Sequence, residues 1–302
     1  MKICVTGGAG YIGAVAVRNL FESGFEVVVL DDLSTGYREN IPNYAHFIQG
    51  SLLDPREIAP ALKGVSAVMH FAGKSLVGES VEKPALYTEV NVQGSKNLFN
   101  EMKVAGVSNL VFSSSAAVYG EPKTTPISEA HETSPTNPYG QTKLAIENLI
   151  NDYGFNSISL RYFNVSGSYK DISENHNPET HLIPNIKKAT ESAPISIYGT
   201  DWPTPDGTCI RDYVHVSDVV DAHLLALAEI SKFKSEVVNL GSGRGYSVKE
   251  VIAACEEVLG RKVPAVENAR RPGDPAILLA EIEKAKKLLN WVPKKTLPEM
   301  IN

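Results

Sequence analysis

Very little in this 302-residue chain points to a membrane, a nucleic acid or a metal. No apolar stretch approaches the roughly 18–20 residues of a spanning helix, so no membrane segment is expected. Lys2–Thr6 already reads as a strand, and no signal peptide is expected ahead of it. Basic residues form no block and the formal net charge is −6, which argues against a nucleic-acid partner. An anionic ligand must then be held by a few local cations and helix N-termini. Cysteine is scarce: Cys4, Cys209 and Cys255 are widely spaced and form no CxxC. That suits a reduced cytoplasmic setting with buried, inert thiols. The 7 histidines show no metal-ligand spacing, so no metal is expected. Repeats and low-complexity tracts are absent too.

What remains has the composition of a globular enzyme, with 43% apolar and 21% charged residues. Short apolar runs at Lys2–Thr6, Glu26–Leu30, Ala45–Gln49, Ala67–Phe71, Asn109–Ser114 and Ser157–Phe163 read as strands. Helical patterns at Gly10 to about Ser23, Pro55–Leu62, Pro84–Ala105 and Tyr139–Tyr153 separate them. This alternation predicts an α/β fold with a Rossmann-type, doubly wound parallel sheet. After Phe163 the chain turns polar and irregular, then returns to helix at Val216–Ile230 and strand at Val237–Leu240. Ser247 and Glu250 are spaced as a capping box. A smaller α/β substrate-binding domain is therefore expected to interleave with the first. Residues 1–163 plus about 208–240 would form the cofactor domain, and about 164–207 plus 241–302 the other.

Thr6-Gly7-Gly8-Ala9-Gly10-Tyr11-Ile12-Gly13 joins the first strand to a helix. Glycines spaced GxxGxxG allow a tight turn and close backbone approach to a pyrophosphate at a helix N-terminus. A glycine-rich turn without ligand is the alternative. Asp31 ends the second strand, 18 positions after Gly13. A carboxylate there accepts from a ribose diol and repels a 2′-phosphate, which favours NAD over NADP. A strand-end aspartate can also just cap the next turn, the role expected of Asp32.

Tyr139 and Lys143 share a helix face, about 6 Å apart at Cβ. Such pairs arise by chance on solvated helices. Here Ser115 precedes Tyr139 by 24 positions, in the run Phe112-Ser113-Ser114-Ser115, and a dinucleotide turn opens the chain. Together they describe a redox site in which a tyrosine hydroxyl moves a proton. A free tyrosine has a pKa near 10, so positive charge beside it is needed near neutrality.

With His70-Phe71-Ala72-Gly73, Asn91, Arg161-Tyr162-Phe163-Asn164, Gly207-Thr208-Cys209-Ile210-Arg211-Asp212-Tyr213-Val214-His215-Val216 and Arg270-Arg271-Pro272-Gly273-Asp274 also in order, the chain resembles the extended short-chain dehydrogenase/reductase superfamily. Within it, the chain is most similar to the UDP-glucose (UDP-galactose) 4-epimerase family. The resemblance implies an isomerase that inverts C4 of a UDP-hexose through a 4-keto intermediate, using tightly bound NAD. Tyr139 would be the acid/base, Lys143 would hold the nicotinamide ribose and lower the tyrosine pKa, and Ser115 would bond the reacting oxygen. Gly7, Gly10, Tyr11, Ile12, Gly13, Asp31, Ser51, Leu52, Phe71, Ala72, Gly73, Asn91 and Phe163 would join Tyr139 and Lys143 around NAD. Asn164, Leu182, Arg211, Arg271 and Asp274 would hold the UDP portion with Ser115 at the sugar, and Leu278 would border the sugar near C2. A homodimer paired through Pro84–Ala105 and Tyr139–Tyr153 is implied as well. Leu86, Val90, Leu98 and Met102 offer it an apolar stripe, or else simply face the sheet.

Some positions depart from the pattern. Ser51 stands where an aspartate often contacts adenine, and His181-Leu182 replaces an Asn-Leu pair. For the arginines, an ion pair of Arg211 with Asp212 or of Arg271 with Asp274 is the plain alternative. Ala116 and Ala117 follow Ser115 where related 4,6-dehydratases carry acids, which favours isomerase over lyase. A net oxidoreductase or lyase on another nucleotide sugar is the second hypothesis, and a non-catalytic NAD sensor the third.

Overall fold

A computed structural model describes residues 1–175, 177–271 and 273–301. Strands β1 (Lys2–Thr6), β2 (Glu26–Asp31), β3 (His46–Gln49), β4 (Ala67–His70), β5 (Asn109–Ser115) and β6 (Asn156–Tyr162) lie parallel with Ser235–Leu240 in one sheet. The spatial order is Ser235–Leu240, β6, β5, β4, β1, β2, β3. It reverses direction between β1 and β4, the switch point where doubly wound sheets bind ligands beyond the strand C-termini.

Strand residues alternate between two cores because successive side chains point to opposite faces. Ile3, Val5, Val27, Val29, Ile158 and Leu160 pack with Val219, Ala222 and Ala226 of the helix Val216–Glu229. Cys4, Val28, Leu30, Leu110 and Phe112 pack on the other side with Ile58, Leu98, Phe99, Met102, Ile146 and Ile150. The buried strands read as continuous apolar runs for this reason. Leu98 and Met102 of the expected dimer stripe are thus fully taken up by the monomer's own core. All three cysteines are buried free thiols.

The expected helix Pro84–Ala105 is continuous but irregular. Pro84–Tyr87 leads through a π-helical turn, Thr88–Gln93, into Gly94–Ala105. Such turns insert one extra residue and rotate the downstream part of the helix.

The division of the later chain differs from the expected one. Ile210–His215 is expected in the first unit. It instead pairs with Gly245–Ser247, Ile277–Leu278 and Asn164–Ser166 in a smaller sheet. Only from Val216 does the chain return to the large sheet, as helix Val216–Glu229 and strand Ser235–Leu240. A third packing cluster, with Ile183, Ile186, Ile195, Tyr213, Val251, Cys255 and Met300, forms the core of the smaller unit. Ile195–Tyr198 is a strand that pairs with Ala265–Asn268. Among the described residues no helix is long and apolar enough to cross a membrane, and no group of metal-ligating side chains assembles.

Candidate active site

The glycine turn follows β1 because only glycine fits there. Gly7 has φ +73°, and a Cβ on it would meet Ala72 N at 2.5 Å. A Cβ on Gly13 would sit 2.2 Å from Gly7 O. The turn is thereby clamped between the loop after β4 and the helix Tyr11–Glu22. That helix starts at Gly10 with no side-chain cap and no acid in its first turn. Uncapped N–H groups at a helix start, reached by a backbone without Cβ atoms, suit a pyrophosphate. Ile12 packs into the core, and the Tyr11 hydroxyl donates to Gly167 O.

Asp31 lies beside this turn, nearly buried at the end of β2. Its Oδ2 accepts from Ala9 N–H at 2.9 Å and its Oδ1 from Leu33 N–H at 2.8 Å. Burial pushes its pKa up against these bonds. Asp32 caps the following turn through Ser34 N–H. The glycine cradle, the open helix start and the carboxylate together fit a dinucleotide with a free ribose diol. Farther along, Ser51 N–H donates to Glu57, and Leu52 packs against Gly94 while its carbonyl accepts from Asn97.

After β4 the chain runs through Phe71, Ala72 and Gly73. Phe71 stacks on His223 with centroids 4.8 Å apart. Gly73 has φ +150°, and a Cβ there would lie 3.0 Å from Asn91 Oδ1. Asn91, expected beside the cofactor, is buried in the π turn and turned onto protein. It accepts from Lys74 N–H at 2.7 Å and donates to Lys74 O at 3.0 Å and Thr142 Oγ1 at 3.1 Å. Both amide protons are used, so it acts here as a clamp on the Lys74 peptide.

Ser115 ends β5 and caps the turn Ala116–Val118, its Oγ accepting from Ala117 N–H at 3.1 Å. Asn137 caps the helix Pro138–Tyr153 through Gly140 N–H at 2.9 Å, with Pro138 at its first position. Gly140 lets the two caps meet, since a Cβ on it would lie 2.5 Å from Ala117 O. Tyr139 is carried toward Ser115 by this contact. Burial raises the Tyr139 pKa, partly offset by the Ser115 hydroxyl.

Lys143 sits one turn on. Its ammonium donates to Ser113 O at 2.7 Å and lies 5.8 Å from the Tyr139 ring centroid. Burial lowers its pKa to about 8, opposed by the Glu147 carboxylate.

Two buried histidines have roles that spacing did not suggest. Ser95 Oγ donates to Asn91 O, so its contact with His70 Nε2 at 2.9 Å must use the imidazole proton. His70 Nδ1 then accepts from Thr6 Oγ1 at 2.7 Å. Burial pushes His70 down to about 3, fixing this neutral tautomer. His223 is the mirror case. Its Nδ1 donates to Val219 O at 2.9 Å, so Nε2 accepts from the Tyr162 hydroxyl.

Phe163 is buried with Ala116, Val118, Tyr119, Ile127, Ala280 and Ile282, and Leu278 packs half-buried on the same cluster. Asn164 opens the strand beside Tyr213, and Leu182 begins a short helix over Leu182–Lys188. The structure brings Arg211, Arg271 and Asp274 together. Arg211 turns away from Asp212 because neighbours on a strand face opposite sides. Asp212 is buried and accepts from Ser242, Gly243 and Ala280. Asp274 lies 3.7 Å from Arg211 and 3.1 Å from Arg271, whose guanidinium also stacks 4.5 Å from Tyr198. Two guanidiniums around one carboxylate leave a net positive charge, as an anionic ligand needs. Glu147 and Arg161 pair near Lys143, and the i+4 spacing of Glu147 from Lys143 is the sequence signal for it.

A family model described as the NAD dependent epimerase/dehydratase family matches residues 3–241. A UDP-glucose 4-epimerase of Corynebacterium glutamicum is 49% identical, spanning 98% of this chain and 92% of that protein. A UDP-glucose 4-epimerase of Brucella ovis, solved in complex with NAD, is 40% identical with a TM-score of 0.96, covering 99% of this chain and 96% of that one. A UDP-glucose 4-epimerase of Stenotrophomonas maltophila, solved with NAD and formylated UDP-arabinopyranose, is 37% identical with a TM-score of 0.96, covering 100% and 96%.

Lys143 titrates near 8 in the fold against an ordinary 10.5. Its burial therefore destabilises the protein in full below about pH 8, and the loss fades as pH rises toward 10.5. Lys143→Met should be more stable than wild type at pH 7, by up to about 3 kcal/mol. The gap should narrow steadily toward pH 10 in urea unfolding. A gap that stays constant with pH would show that the ammonium is not desolvated.

Proposed function

Because this chain belongs to the NAD-dependent epimerase/dehydratase family, we propose that it interconverts UDP-glucose and UDP-galactose by inverting C4, with NAD held throughout. The observation that carries this is the near full-length similarity to UDP-glucose 4-epimerases together with the Ser115–Tyr139–Lys143 cluster at the strand ends. Bound NAD supplies the redox capacity, accepting the C4 hydrogen with its electron pair and giving it back on the opposite face. The chain's own residues do the rest. Tyr139 takes the proton of the 4-hydroxyl and later returns it to the 4-keto oxygen, while Ser115 holds that oxygen. Lys143 orients the nicotinamide ribose and favours the phenolate. The Gly7–Gly13 turn takes the pyrophosphate and Asp31 the ribose diol, while Arg211 and Arg271 hold the UDP diphosphate. The absence of an acid at Ala116 and Ala117 supports returning the hydrogen over eliminating water.

Tyr139→Phe removes one hydroxyl. It should cut turnover of UDP-galactose by about 10²–10⁴-fold, while denaturation still releases about one NAD per chain. Near-normal turnover would remove Tyr139 from the mechanism, and a protein purified without NAD would count against the cofactor assignment.

Leu278 is smaller than tyrosine and lies on the cluster beneath Ser115's turn, so the sugar pocket should admit N-acetylhexosamines too. Leu278→Tyr should shift kcat/KM toward UDP-galactose over UDP-GalNAc, by a discrimination of about 1–3 kcal/mol. An unmoved ratio would place the gate elsewhere.

The protein is read further as cytoplasmic, on its scarce and widely spaced cysteines, and as a homodimer. The dimer reading rests on family resemblance, since Leu98 and Met102 are internal. Light scattering at micromolar concentration checks it, and a monomer would dismiss it.

A further inference from the structure

Lys143 and Glu147 lie one turn apart on the helix Pro138–Tyr153, close enough for ammonium and carboxylate to close on one another. They do not. The Lys143 ammonium goes to Ser113 O at 2.7 Å. Glu147 is taken from the other side. Arg161, reaching from β6, gives Nε to Oε1 at 2.9 Å and Nη2 to Oε2 at 2.6 Å. Ser114 Oγ completes the set on Oε1. Both charged side chains are about 95% buried, with exposures of 6% and 5%. The far face of the guanidinium is closed by the Tyr119 ring at 4.8 Å, and the Tyr119 hydroxyl is held by Asn239. The pair sums to zero charge, and Lys143 is left with an uncancelled positive charge beside Tyr139.

We propose that Arg161 is a positioning residue of the reaction centre: by engaging both oxygens of Glu147 it keeps that carboxylate off Lys143, so that the ammonium acts on Tyr139. The inference rests on Tyr139 being the acid/base. The other titratable groups facing Tyr139 and Lys143 are neutral near pH 7. They are His70 from β4, Tyr162 from β6 and Tyr87 from the preceding helix; burial pushes the histidine down and the tyrosines up. The balance between Glu147 and Arg161 therefore sets the field at the site.

Glu147→Gln keeps the shape of the contact and removes one negative charge. Arg161→Met removes the positive charge, and the double variant removes both. Each is made with Tyr139 and with Tyr139→Phe, so that ultraviolet difference titration of the purified protein isolates the Tyr139 phenolate. Tyr139 and Lys143 titrate as a coupled pair, and one added or removed charge moves both steps together. The phenolate titration should move to lower pH in Glu147→Gln and to higher pH in Arg161→Met. A shift of about half a unit to one unit is expected, and the double variant should return to the wild-type position. If Arg161→Met does not fold, Glu147→Gln and the double variant suffice, as a downward shift followed by return. Titration at the same pH in Glu147→Gln as in wild type overturns the proposal and leaves the proposed function standing. A double variant that fails to return overturns it as well. If wild type shows no Tyr139-dependent phenolate below pH 10, or Tyr139→Phe keeps normal turnover, the acid/base reading falls and this proposal with it.

Discussion

Everything at the proposed reaction centre depends on one backbone contact, the approach of Gly140 to Ala117 O. It seats the first turn of the helix Pro138–Tyr153 directly on the turn that leaves β5. Any side chain at position 140 would wedge the two apart. Ser115 and Tyr139 meet through it although 24 residues separate them, and Lys143 follows by helical geometry. The two caps, Ser115 on one turn and Asn137 on the other, fix the angles on either side of the contact. A contact between backbones keeps its geometry where side-chain contacts could repack, and a misplacement of about 1 Å at a reacting group can cost about 10²-fold in rate.

A buried polar chain carries the same precision across the switch point. Thr6, His70, Ser95, Asn91 and Thr142 pass hydrogen bonds from the end of β1, through β4 and the π turn, to the carbonyl of Tyr139. Each member has one proton arrangement only, because its neighbours have no alternative donor or acceptor. The glycine turn and the tyrosine helix are thereby tied into one polar unit. Such a fully satisfied network specifies geometry more than it adds stability.

Much of this was legible in the sequence, for identifiable reasons. The large sheet showed itself because parallel strands buried on both faces are continuous apolar runs, and Gly7–Gly13 because steric necessity leaves glycine no substitute. Tyr139 and Lys143 stood out by helical spacing. What was hidden depended on pairing or orientation. Nothing in its composition says that Ile210–His215 joins the smaller sheet, since either sheet would bury the same residues. The π turn leaves no mark in residue type, so nothing in the sequence shows that Asn91 clamps the Lys74 peptide. Asp274 bridges both arginines through a turn that local propensity does not specify.

At two of its crossings between the large sheet and the four-stranded one the chain has almost no slack. Phe163 alone separates β6 from the strand Asn164–Ser166, and Ile210–His215 passes straight into the helix Val216–Glu229. Both joints are buried, Phe163 within one apolar cluster and His215 against Gly167. A hinge needs loop residues that can absorb large torsional change; these two crossings offer none, and the third, from Ser235–Leu240 to Gly245–Ser247, runs through residues 241–244. Mechanically these two joints are stiff. In an enzyme that must present both faces of a sugar, joints of this kind favour turning the ring over swinging one sheet around it.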